Sequence, residues 1–160
     1  MIPESLLENT SLASSHNLKE TMRNLLGIKG AFNDIEAPIS EFGQVCQLRH
    51  CIIHRFSYLG SANAAILGIE SHGELIEKPI VFTYGLLQDA FQVVDVCVRS
   101  VNNFLFTNLV YRMADNNEWS WIYNDDWRKF DKYYKTFVDP TEVGCMTRRD
   151  AYSALEIAKK

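Results

Sequence analysis

Apolar positions in this chain recur at steps of three and four far more often than they alternate, which predicts helices rather than strands. The longest such stripe is Leu87, Ala90, Phe91, Val94, Val98, Val101, Leu105 and Leu109. It predicts one helix over about 84–114, roughly 45 Å long at 1.5 Å per residue. Asp115-Asn116-Asn117 ends it. A stripe of that length outruns any single short partner. It is expected to pack on helices at 40–56 and 15–29, with room for a second copy of the chain.

The rest of the pattern is shorter. Residues 1–14 suit one short helix around Leu6, Leu7 and Leu12. Leu18, Met22, Leu25 and Leu26 predict a helix over 15–29 with Ser15 as N-cap. Gly27 and Gly30 weaken its end, and Pro38 closes the connection. Ser40 is expected to cap the helix over 40–56, and Asn63 to Leu67 adds one further turn. Gly68 to Phe82 has Gly73, Pro79 and brief alternations, and reads as a loop with a small hairpin near 70–82. A helix from about Asp126 turns Trp127, Phe130, Tyr134 and Phe137 inward and Arg128, Lys129, Lys132 and Lys135 outward. Asp139-Pro140 stops it. Thr147 with Asp150 three later forms a capping box for a last helix to about Ala158. The sum is an all-α, antiparallel helical bundle of about five or six helices, a single domain over 1–160.

Composition narrows the function classes. The net charge of −4 argues against nucleic-acid binding by a bulk positive field, so any such contact needs a local basic patch. Cys46, Cys51, Cys97 and Cys145 form no CxxC pair and no zinc-like spacing. With no basic, apolar leader at the start, they are expected to be reduced thiols in a cytoplasmic protein. No apolar run approaches the roughly 20 residues of a membrane helix.

The densest chemistry lies in Glu41 to Arg55, EFGQVCQLRHCIIHR. Phe42, Val45, Arg49, Ile52, Ile53 and Phe56 make one helical stripe, and Arg49 occupies a place where Leu or Ile would be expected. A guanidinium is always charged and is rarely buried without a partner. It therefore has a buried counter-ion or faces a surface where the charge is used. His50, His54 and Arg55 complete a cationic and titratable cluster. Arginine with histidine suits RNA cleavage without a metal. The 2′-hydroxyl must lose a proton as it attacks phosphorus, the phosphorane gains negative charge, and the leaving 5′-oxygen must be protonated. A histidine can serve as base or acid near neutral pH. An arginine offers a planar fork of donors to the extra charge. One difficulty is geometric: positions five apart lie about 140° from each other on an ideal helix. The helix is distorted here, or the arginine reaches round, or a second chain completes the site across a two-fold axis.

Arg49-His50-x-x-x-His54 resembles the RxxxxH signature of the HEPN superfamily, in which a polar residue usually follows the arginine. LRHCIIHR followed by a turn, NAAILG, a short loop with Ile80 and a long helix is similar to the HEPN domains of bacterial ribonuclease toxins and anti-phage defence proteins, with the RiboL-PSP-HEPN type as the subgroup suggested. The likeness covers residues 40–115. It implies a homodimeric, cofactor-free endoribonuclease that leaves 2′,3′-cyclic phosphate and 5′-hydroxyl ends. Carried over, Arg49 binds the scissile phosphate, His54 is the general acid or base, and His50 orients the site. An antitoxin or other regulatory partner is expected. Arg55 is added as a phosphate contact outside the signature, and Lys129 and Lys132 as RNA-binding residues.

Other readings compete. Arg49 could pair with Asp89 or Asp95, and His54 could do no more than favour the helix C-terminus. The whole chain could be a non-catalytic dimerisation or RNA-binding module. His50 and His54 could form a metal edge, with His16, His72 or a carboxylate as third ligand. Cys51 could be a thiol nucleophile. The basic run 128–135 could be a solvated face, Trp119, Trp121 and Trp127 core anchors, and Arg148-Arg149 and Lys159-Lys160 an exposed tail.

Overall fold

The computed structural model describes residues 10–29, 31–141 and 144–158. Among them the fold is all-α, with six helices and no strand: α1 (Ser15–Leu26), α2 (Glu36–His54), α3 (Ser61–His72), α4 (Tyr84–Asp115), α5 (Tyr123–Phe137) and α6 (Arg148–Ala158). They gather into two compact units, 1–101 and 102–160. The sequence predicts one domain; the helix α4 spans residues of both units. The helix expected around Leu6, Leu7 and Leu12 falls mostly outside the described residues.

In the first unit, the cap of α1 lies one residue before the expected Ser15. Ser14, in extended backbone, accepts a hydrogen bond from Asn17 N–H at 3.1 Å. Gly27 closes α1 in the left-handed conformation at φ 63°. The next helix differs more from expectation. It starts at Glu36, after a 3-10 turn at Asn33–Ile35, so Pro38 lies in its first turn and Ser40 caps nothing. Proline is tolerated there because the first N–H groups of a helix have no internal acceptor. An ion pair between Lys19 Nζ and Glu36, at 2.6 Å, ties α1 to the start of α2. The helix ends in a tight turn: Arg55 and Ser57 N–H both donate to Cys51 O, while Phe56 and Ser57 take positive φ.

The one turn expected near Asn63 is a full helix, α3, bent at Gly68, whose φ of 106° and ψ of 100° are outside helical space. The hairpin expected near 70–82 does not form. The segment is tied back to the turn after α2 instead: Glu77 N–H donates to Leu59 O, Leu59 N–H to Lys78 O and Ile80 N–H to Ser57 O, around an isolated antiparallel bridge between Tyr58 and Pro79. Cys51, Leu59 and Ala64 are buried together at this junction. Asn63, also buried, donates to Gln47 Oε1 at 2.9 Å and links α3 to α2.

The second unit is built on aromatic packing. Val110, Met113, Trp119, Phe130 and Tyr152 form its centre. Trp119 meets Phe130, Tyr133 and Tyr152 edge to face, an arrangement that aromatic quadrupoles favour. At the start of α6, Thr147 Oγ1 accepts from Asp150 N–H at 3.3 Å, the first half of the expected capping box, and donates to the Asp150 carboxylate at 2.6 Å. Arg148 does not belong to an exposed tail: it donates to Asp131 at 2.6 Å and to Tyr123 Oη at 3.0 Å. Lys159 and Lys160 lie outside the described residues.

Candidate functional site

The predicted inward stripe of α2 is not its buried face. Ile39, Cys46 and Cys51 are buried, whereas Arg49, Ile52, Ile53 and Phe56 are exposed, Phe56 to 88%. The helix is apolar on more than one side, and Cys46 and Cys51 cover the neighbouring elements with small side chains. Arg49 is therefore not a misplaced core residue. It lies at the surface, with no carboxylate in ion-pair distance among the described residues. The acids proposed as its structural partners are elsewhere engaged or open: Asp95 accepts from Arg99 Nε at 2.9 Å, and Asp89 is exposed.

Arg49 does act electrostatically on its neighbourhood. Burial raises the Cys46 thiol above its ordinary value, and the Arg49 charge works against that. Cys97 on α4 is raised in the same way by burial and then by Cys46 beside it. The two buried thiols thus lie within electrostatic reach of each other. Within this unit the long stripe is half-buried at Ala90, Val94 and Val101 and open at Leu87, Phe91 and Val98, Phe91 being 71% exposed.

His50 and His54, one turn apart on α2, are both exposed, with ring centroids 4.8 Å apart and planes tilted by 46°. His54 is the last residue of the helix. The helix contains no non-helical residue, so the angular gap of about 140° between Arg49 and His54 stands. Between them on the exposed arc lies Ile53. The arrangement offers two adjacent imidazoles and a free guanidinium on one mixed apolar and cationic surface.

Arg55 does not join that surface. It pairs with Glu77, which stands at positive φ, and its stem lies so close to Gly60 that a Cβ there would meet Arg55 Cδ at 2.7 Å. It ties the turn after α2 to the segment after α3, so the guanidinium expected to contact phosphate is engaged by a carboxylate. Lys129, in the second unit, is also engaged. It donates to Glu118 at 2.8 Å and sits over the Trp119 ring. Its neighbour one turn on, Lys132, is exposed and without a partner among the described residues.

The rival chemistries lose ground on the same geometry. No cluster of three metal-ligating side chains occurs among the described residues, and His72 instead faces Gly68 O through Nδ1 at 3.0 Å. Cys51 is fully buried among apolar side chains, out of reach of a substrate. Trp119 is a core anchor, donating to Val110 O at 3.3 Å, and Trp127 lies beside the guanidinia of Arg128 and Arg148.

Sequence reasoning missed a cavity of about 340 Å³ in the first unit. Leu48 of α2, Leu67 of α3, and Leu59, Leu75 and Ile80 form its apolar wall, with Gln44, His72 and Lys78 among the lining residues. None of Arg49, His50 or His54 lines it. The signal was a glycine inside an apolar helical run, Gly68, with a histidine four residues later. Comparison with known proteins finds no family model, no curated protein and no solved structure that matches the chain. No described helix is long and apolar enough to cross a membrane.

Proposed function

We propose that this protein is a metal-independent endoribonuclease of the HEPN kind, cutting RNA to 2′,3′-cyclic phosphate and 5′-hydroxyl ends. In this reading it is a cytoplasmic homodimer that serves as a toxin or anti-phage effector and is held in check by an antitoxin or other regulator. The observation that carries the reading is an exposed Arg49 without a counter-charge among the described residues, on the same open helix surface as the paired imidazoles of His50 and His54. An unpaired guanidinium is available to a phosphate, and bidentate donation to its oxygens would grow stronger as charge develops on phosphorus. His54 removes the 2′-hydroxyl proton or protonates the leaving oxygen, and His50 at 4.8 Å holds its ring in place.

The test is total RNA incubated with purified protein in EDTA, with the ends read for 2′,3′-cyclic phosphate. Arg49→Ala and His54→Ala are each expected to lower cleavage by about a hundredfold or more, with unfolding midpoints unchanged because both side chains are exposed. Full activity in the double variant, or a requirement for added Mg²⁺, overturns the proposal. A second reading has its own support. Ile52, Ile53 and Phe56 are exposed around the cluster, which suits a non-catalytic dimerisation or RNA-holding surface. Retained RNA with intact ends selects that reading.

A further inference from the structure

We propose that the cavity between α2 and α3 is a binding site for a small amphipathic carboxylate, an aliphatic chain with an anionic head. Such a site is independent of the ribonuclease reading. The volume of about 340 Å³ falls in the range of small-molecule pockets, and five aliphatic side chains from α2, α3 and the intervening segments converge on it. Cys51 and Ala64, buried together with the wall residue Leu59, give it a packed backing.

The polar residues choose the head group. Lys78 and Gln44 line the cavity, and neither side chain has a hydrogen-bond partner or counter-charge among the described residues. The one acid bonded at this junction, Glu77, is taken by Arg55 and does not neutralise Lys78. An ammonium and an amide beside an apolar wall select an anion with an apolar tail over a cation with the same tail. His72 owes its place there to the bend at Gly68. Its Nδ1 is committed to Gly68 O, which ties the ring to the bend. The backbone around the site is held by the bonds that join 57–59 to 77–80, so the pocket is largely formed before anything enters it.

Octanoate is the probe. It is titrated into the full chain while methyl resonances of Leu48, Leu59, Leu67, Leu75 and Ile80 are followed by NMR, with octylamine and acetate as controls. Saturable shifts confined to those methyls, tighter for octanoate than for octylamine and absent with acetate, are expected. Lys78→Met keeps the stem and removes the charge; it is expected to weaken octanoate about fivefold, a modest factor because the ammonium is exposed, and to leave octylamine no weaker. Leu67→Trp fills the cavity and abolishes the shifts, with circular dichroism reporting that the helices remain. The proposal is overturned if octanoate moves none of these methyls up to its solubility limit, if octylamine binds as well, or if Lys78→Met leaves octanoate affinity unchanged.

Discussion

Asp126 is a charge kept in the buried centre of the second unit, and its surroundings explain how. Burial alone would raise its carboxyl, but the hydroxyl of Tyr152 at 2.5 Å and the N–H groups of Ser120 and Trp121 at 3.2 and 3.0 Å outweigh that and lower it below the usual aspartate value. Burial, then the bond to Asp126, pushes the Tyr152 phenol well above its ordinary value, so it remains a donor. A depressed carboxyl stabilises the fold above its unfolded value of about 3.9, and that contribution is lost as pH falls through the lower folded value. Trp119 fluorescence is therefore expected to report acid loosening of this unit below about pH 4. Asp126→Asn should cost about 1–3 kcal/mol at neutral pH by urea titration and flatten that acid limb. The sequence placed Asp126 at a helix start but gave no sign of this role, because its strongest donor, Tyr152, lies far along the chain. Arg49 was the opposite case: its oddity was legible in the stripe itself, since a charge among apolar positions must be either paired or exposed.

At the scale of elements, helix existence was legible and helix facing was not. The stripes that predicted α2 and α4 are real, yet Ile53 and Phe91 face outward while Cys46, Cys51 and Cys97 are buried. Periodicity reports which side of a helix is apolar; it does not report what is available to cover it. Cysteines count for little in such patterns although they are among the most readily buried residues. The bend in α3 was hidden for another reason. A glycine in an apolar run reads as a helix end, and here the chain resumes helix beyond it, giving Ser61–His72 where a single turn was expected. At φ 106° an alanine is strained whatever space surrounds it. Gly68→Ala is expected to destabilise the first unit by about 1–2 kcal/mol, visible in the denaturation midpoint, and to move the His72 resonances. Unchanged stability and an unchanged His72 environment would mean that the bend is not needed to place that ring.

For the molecule as a whole, the proposed activity turns on how one regular helix can serve a reaction needing both its flanks. Arg49 and His54 stand about 140° apart on α2, and the helix has no internal irregularity that would close the gap. Under the proposal, each cleavage site takes its guanidinium from one protomer and its imidazole from the other. Exposed Ile53, between the two, and Phe56 just beyond supply apolar surface for the contact. Ile53→Glu is then expected to shift sedimentation from dimer to monomer and to lower cleavage, although Arg49 and His54 are untouched. Mixing decides between a composite site and an arginine that reaches round its own helix. Arg49→Ala and His54→Ala proteins, each inactive alone, are unfolded together and refolded. Half the dimers are then mixed, and one of the two sites in each has both groups, so activity should return to about a quarter of the wild-type level. If every protomer builds its own site, the mixture stays as inactive as its parts, and the two-chain site is excluded even where RNA cleavage itself is real.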